Sequence, residues 1–418
     1  MKKLFVVSII LVLLLSVSFA AKEIVFWTAP NPLQEEFWKG LVAEWNNNHP
    51  DVQIKWSVIP AAGSSEEAIL TAIAAGEGPD ICTNIFSGFA AQLIEADQLV
   101  PLETLPGFWD LIKARKMETI IEGWKLSNHY YVFPIYSNPM MMWWRKDLLK
   151  ELGYDHPPRT YSEIYELSKK YSIPNKRFGM QAVKGRNWWD RWFDFITYYY
   201  AASAGKPYLD VEKGVVLFNN EYGKEVATFI DTMFRKGWTA VDLGNNPFFN
   251  GTILGSLMGP WSLNWAKEQF PDVYPNIEIS PPPVPDDYPK DAPIYTFADT
   301  KGLVMFKTCK YEEEAWEFIR WVFSNIENDR TWMVKTNLPP ARGDLTTNPI
   351  FVDYMNQNPY FAKYAKYVGY AVPPALTTKT VDIQDVMTQY LIEPLMYGKA
   401  TPEKALETVS KRIKEILH

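Results

Sequence analysis

The sequence predicts an α/β protein in which mainly parallel sheets carry helices on both faces. Two observations predict it. Short apolar runs suited to buried strands alternate along the chain with amphipathic stretches of helical period. The chain also has 418 residues, 47% of them hydrophobic and 22% charged, which is enough apolar material for two or three domains with sizeable cores.

The elements follow in order. Residues 1–20 read as a secretory signal, with Lys2 and Lys3 ahead of the apolar run Leu4 to Leu15 and a small-x-small site at Ser18-Phe19-Ala20. The run is shorter than the roughly 20 residues a membrane span requires. Cleavage would start the mature chain at Ala21, and no cysteine follows to take a lipid anchor. Ile24 to Trp27 forms a first buried strand, followed by the turn Thr28 to Pro32. Asn31 is placed to cap a helix, Pro32 suits its first position, and Phe37, Leu41 and Trp45 recur at spacing four. The run from Asn46 to Pro50 ends that helix. Val52, Ile54, Trp56 and Val58 then alternate as a second strand, which completes a β-α-β unit.

A further helix over about Glu66 to Ala75 leads into the turn from Gly76 to Asp80 and a third strand. That glycine-rich turn precedes a strand, whereas phosphate-binding turns follow one and open a helix, so a nucleotide site is not indicated. Ligands of such sheets bind beyond the carboxyl ends of the strands, so Trp27 to Asn31 and Asn84 to Gly88 share a rim. Later, Thr160 and Glu163 form a capping box. From Asn187 to Tyr200 a Trp, Phe and Tyr run covers most of a helix and leaves Asp190, Arg191 and Asp194 as its polar face. Prolines crowd residues 279–293 into a stiff surface loop. Thr401 and Pro402 open a terminal helix whose Leu406, Val409, Ile413 and Ile416 dock.

Composition narrows the chemistry. The balance of 42 Lys and Arg against 49 Asp and Glu, and the lack of a long basic block, argue against a nucleic-acid partner. Two cysteines and four scattered histidines offer no metal-binding spacing, and no cofactor motif is present. Aromatic content reaches 15%, with 17 Trp and 23 Tyr, and indole and phenol groups buried without a polar partner are costly. Some of these rings are therefore expected at a half-wet surface or in a ligand cleft.

The order of local motifs resembles the family 1 extracellular solute-binding proteins of ABC importers, the maltose-binding-protein-like group. The motifs are Ile24 to Thr28, Asn47 to Ile54, Gly76 to Ile81, Leu99 to Leu102, Tyr131 to Pro134, Arg145 to Leu149, Pro158 to Glu163, Leu257 to Trp261 and Asn337 to Arg342. The resemblance implies a two-lobed, type II periplasmic-binding-protein fold with the ligand in the cleft. Its first lobe would hold residues 21–138 and 295–341, and its second 139–294 and 342–418. It further implies export to the periplasm or the outside of the cell, a carbohydrate ligand, delivery to membrane permease subunits, action as a monomer and no catalysis. Where many members have Gly-Gly before the returning strand, this sequence has Phe297-Ala298-Asp299-Thr300-Lys301-Gly302.

A sugar presents C–H faces and a rim of hydroxyls, so its receptor needs flat rings beside groups that donate and accept hydrogen bonds. By residue-wise match, the first lobe would supply Trp27, Asn31, Asn84, Phe86, Ser87, Tyr136 and Asn138. Trp188, Trp189 and Trp261 would come from the second, with Asp299 and Arg342 from the later crossings. For each Trp, core packing is the competing expectation. A secreted glycoside hydrolase, with two flanking carboxylates, is the rival class, although no local catalytic motif supports it. Binding proteins for cyclic polyols or other small solutes also remain open. Cys82 and Cys309 are expected unpaired, because a strand of about 17–20 Å would separate them, beyond the ~7 Å Cα distance that a disulfide tolerates.

Overall fold

The computed structural model describes residues 21–184 and 188–418, with backbone alone over 188–191. The leader expected at 1–20 lies outside the described residues. Strand Lys22–Thr28 pairs in parallel with Val52–Val58 along its whole length, and with Ile81–Ile85 on its other side. The helix between the first two strands, Pro32–Asn48, starts as its sequence directs. The Asn31 Oδ1 accepts the N–H groups of Leu33 and Gln34 at 3.1 and 3.2 Å, and Pro32 has no N–H left to satisfy. Its buried face brings Phe37 against Trp332 and Trp45 against Phe318, edge to face. Those two rings belong to the helices Glu312–Ser324 and Ile326–Thr336.

Strand Thr296–Met305 joins this sheet antiparallel to Ile81–Ile85 and, on its other edge, antiparallel to Phe133–Pro139. Pairing is thus parallel where β-α-β units supply neighbours and antiparallel where Thr296–Met305 meets Ile81–Ile85 and Phe133–Pro139, with Ala371–Val372 added in parallel at its start. The second sheet has the order Ile277–Ser280, Met141–Arg145, Ile253–Met258, Phe178–Met180, with two antiparallel pairings and one parallel. Alternation along Met141 to Trp144 divides its side chains between two faces. Met142 and Trp144 enter a core built with helices Trp188–Ala202, Glu221–Arg235 and Pro402–Leu417. Trp143 goes to the other face, where its indole N–H donates to the Tyr364 hydroxyl at 2.6 Å.

Between the lobes three segments run side by side. Asn138 lies opposite Asp299, Tyr136 bridges Pro340, and the Ala341 N–H donates to the Ile135 carbonyl at 2.9 Å.

Three local expectations are corrected. Asp194 is not on a polar face but buried, where its carboxylate accepts the Lys184 N–H at 2.7 Å, because the loop before the helix folds back onto it. The proline-rich stretch begins as strand through Ser280, and its Val284 is fully buried, held by backbone bonds of 3.0 Å to Arg159 and Tyr161. Both cysteines are free and buried, yet no strand length separates them. Cys82 is the second residue of its strand and lies opposite Val304, and the Cys309 thiol meets the Asp80 carboxylate. The ten-residue strand Thr296–Met305 returns to the end where Ile81–Ile85 begins, which puts both thiols at one edge.

Candidate functional site

A cleft of about 510 Å³ opens between the lobes, and the groups that line it come from strand ends, the crossing strands and helix termini. Because the first strand ends at Thr28, Ala29 to Asn31 form the cleft's near wall, and the first helical turn adds Leu33 and Gln34. The Asn31 carbonyl oxygen is committed to the helix cap, so its amide NH2 is the group left to face a ligand.

The floor is polar. Tyr136 and Asn138 from one crossing strand meet Asp299 and Lys301 from the next. Alternation explains the pair, since Asp299 and Lys301 are two residues apart and so share a face. Burial raises the Asp299 carboxyl above its ordinary value, while the charge of Lys301 and a hydrogen bond from Asn138 oppose that rise. The Lys301 ammonium donates to Asn84 Oδ1 at 3.0 Å. Asn84, at φ +66°, also donates to the Ser65 hydroxyl at 3.3 Å, so its amide is spent on holding Lys301 in place. Asn138 gives its NH2 to Asp299, but its buried Oδ1 has no partner. A buried acceptor without a donor is costly, and a hydroxyl arriving in the cleft would satisfy it. Tyr136 is stacked on Trp332 at 5.8 Å, which fixes the wall beside this floor.

From the second lobe come Trp261 and Asn264. Trp261 is 45% exposed, and a Cβ on Gly259 would lie 2.2 Å from its ring, so the glycine lets the indole fold flat over the backbone. At the far end the helix Ile326–Thr336 stops on Asn337 at φ +54°, and the Asn337 amide donates to the Pro260 carbonyl at 3.5 Å across the cleft.

Of the twelve residues expected to touch ligand, the cleft brings together Asn31, Asn84, Tyr136, Asn138, Trp261 and Asp299. Trp27 is 9% exposed and packs in the first lobe's core, on the face opposite Ile24 and Phe26, because this parallel strand is covered on both faces. Phe86 and Ser87 sit behind the rim: the Phe86 ring stacks on Phe89, and their turn abuts Thr380 at Gly88. The side chains of Trp188 and Trp189 lie outside the described residues. Arg342 is corrected outright. It is buried away from the cleft, where it pairs with Asp329 at 3.0 Å and grips Asp344 at 2.8 and 3.0 Å. Its motif carries it past the crossing and into the first lobe's ion-pair network.

The sequence reading missed Gln34, Asn264, Lys301 and Asn337. Each had a local signal: the first turn after a cap, three residues on from Trp261, two residues on from Asp299, and the left-handed position after a helix.

The family profile of bacterial extracellular solute-binding proteins matches residues 30–328. An uncharacterised Listeria monocytogenes EGD-e protein of known crystal structure is 35% identical, with a TM-score of 0.90 over 95% of this chain and 100% of that one. The cyclic α-maltosyl-1,6-maltose binding protein of Arthrobacter globiformis shares the fold, with a TM-score of 0.81 over 95% and 99% of the two chains at 17% identity. Among relatives by sequence, the arabinooligosaccharide-binding protein of Bacillus subtilis strain 168 is 21% identical over 99% of this chain and 100% of its own. The maltotriose-binding protein of Pyrococcus abyssi is 22% identical over 78% and 68%.

Proposed function

Since this chain belongs to the bacterial extracellular solute-binding protein family, we propose that it is the extracytoplasmic binding component of an ABC importer for a carbohydrate, closing its lobes on the sugar and handing it to a membrane permease. The observation that carries this reading is the pairing of an exposed, flat Trp261 with a floor of Asn138, Asp299 and Lys301 in one cleft. An indole takes a sugar's C–H face, and the amide, carboxylate and ammonium groups take its hydroxyls. Relatives named for maltotriose and arabinooligosaccharides support an oligosaccharide. Asp299 is the one carboxylate among the described lining residues, whereas glycoside hydrolysis uses two about 5–10 Å apart, which favours binding over turnover.

The three side-by-side, antiparallel segments around Asn138, Asp299 and Pro340 are, in this reading, the hinge. Hinges of this class absorb domain closure in a few residues. The expected leader would carry the chain out of the cytoplasm, and no helix among the described residues is long and apolar enough to cross a membrane.

Thermal unfolding with maltooligosaccharides, arabinooligosaccharides and cyclic polyols tests the assignment. A ligand at 100 times its Kd adds about 2.7 kcal/mol to stability, a shift of several degrees. Trp261→Ala should remove most of that shift while leaving the apo midpoint nearly unchanged, because the ring is half exposed. Absence of any shift across the panel, or release of shorter sugars on incubation, would overturn the assignment.

A further inference from the structure

The helix Ser262–Gln269 begins beside the cleft, with Trp261 as its capping residue and already in helical conformation at φ −59°, ψ −21°. Trp265 therefore stands one turn further on, about 6 Å along the axis and roughly 40° around it. The helix buries Leu263 and Ala266, so the side bearing Trp261 and Trp265 is turned away from the core. The two indoles are exposed to nearly the same extent, 45% and 43%. Asn264, on the other flank of Trp261 from Trp265, lines the cleft together with Trp261.

Trp265 is also held in place. Its ring lies 5.2 Å from both Phe249 and Phe270, with interplanar angles of 84° and 71°, and those two phenyl rings are stacked on one another at 4.0 Å. Two edge-to-face contacts fix the orientation of the indole without covering it. A large aromatic side chain that is braced, left open and next in line to a ligand platform is suited to recognition, because little side-chain entropy remains to be lost on binding.

We propose that Trp265 is an outer subsite, which makes the preferred ligand a linear oligosaccharide that leaves the cleft along this helix. One unit stacks on Trp261 and a following unit lies on Trp265, the rise of about 6 Å between the two positions along the helix being of the order of one sugar unit. This rests on the carbohydrate assignment above. A ligand too short to pass Trp261 gains nothing from Trp265.

Isothermal titration calorimetry with the mono- to pentasaccharides of both series named above tests it, using the wild-type protein, Trp265→Leu and Trp265→Phe. Leucine keeps apolar contact with Phe249 and Phe270 but has no flat face, whereas phenylalanine retains one. For Trp265→Leu the shortest sugar that the wild type binds keeps its affinity, while longer ones weaken roughly three- to tenfold, the worth of one aromatic contact. Trp265→Phe loses less. A loss equal at every length, no loss at any length, or a wild type that takes only the shortest members would each overturn the outer subsite and leave the carbohydrate assignment standing. A wild type that binds no member of either series overturns both.

Discussion

Replacing Asp329 by Asn should cost this protein far more stability than affinity. The Asp329 carboxylate is buried and receives three charge-assisted hydrogen bonds, from Arg115 at 2.7 and 2.8 Å and from Arg342 at 3.0 Å. Arg115 is fully buried, between the rings of Phe133 and Phe323, and burial pulls its guanidinium below the ordinary value while Asp329 pulls it back. Each such bond is worth about 1.5–3 kcal/mol, and an Asn oxygen can still accept the two that converge on one carboxylate oxygen, while its NH2 would face the third donor. The remaining loss leaves a buried cation without its counter-charge, a change that costs about 3–5 kcal/mol. Arg342→Ala should cost less, because Asp329 keeps Arg115 and Asp344 keeps a bond from Asn348 of 2.9 Å. Urea denaturation monitored by tryptophan fluorescence gives the order: Asp329→Asn lowers the midpoint most, then Arg342→Ala, with m unchanged. Both variants, titrated well below their melting points, should bind sugar like the wild type. An Arg342→Ala protein with an unchanged midpoint and tenfold weaker binding would refute the reasoning and return Arg342 to the cleft.

Asp299 predicts a pH signature. Its folded pKa is raised by burial, so between the ordinary carboxylate value of about 3.9 and the raised one the native state holds a proton that the unfolded chain has lost. Its stabilising contribution is therefore full below that window and disappears as pH rises through it. Subtracting the apo melting curve of Asp299→Asn from that of the wild type across pH should show that decline, and a flat or rising difference would count against a buried carboxyl. The thiols make the second test. Burial, with the charge of Asp80 adding, pushes the Cys309 thiol up to about 12, and burial raises Cys82 further, so both are protonated and unreactive in the native state at neutral pH. Ellman's reagent should find almost no thiol in native protein and two after denaturation without reductant; rapid native reaction, or none after denaturation, would contradict the buried, unpaired arrangement.

The first lobe was readable because its signals are local. The Asn31 cap, the Pro32 start, the spacing of Phe37, Leu41 and Trp45, and the alternation of Val52 to Val58 each fix an element within a few residues, and the structure has them there. The second sheet was less readable. The pairing of Met141–Arg145 between Ile277–Ser280 and Ile253–Met258 joins residues more than a hundred positions apart, and no periodicity within Met141 to Arg145 specifies those partners. Asp194 failed for a related reason: helical period gives the face a residue occupies, but a loop arriving from outside the helix decides whether that face is wet.

For the site, residue type and order were enough to find the polar floor but not to separate floor from scaffold. Arg342 and Asp299 carry the same kind of signal in sequence, a charged side chain near a crossing. What separates them is register. Asp299 lies opposite Asn138 on the face that alternation turns to the cleft, whereas Arg342 has passed Ala341, whose N–H is tied to Ile135, and turns to Asp329. The same register bears on how binding would drive closure. Asn138 and Asp299 stand on adjacent crossing strands and keep one another's company whether the lobes are apart or together, so contacts to them add affinity without favouring either state. Only contacts that differ between states shift an equilibrium. Gln34 and Trp261 line the same cleft from opposite sides, so if closure changes their separation, these rim contacts, and not the buried charges beneath, set the closed population. Trp261→Ala should then leave a sugar-bound protein that scatters X-rays like the open form, whereas Asp299→Asn should weaken binding yet still compact at saturation. Equal compaction by both variants would mean that the floor, and not the rim, selects the closed state.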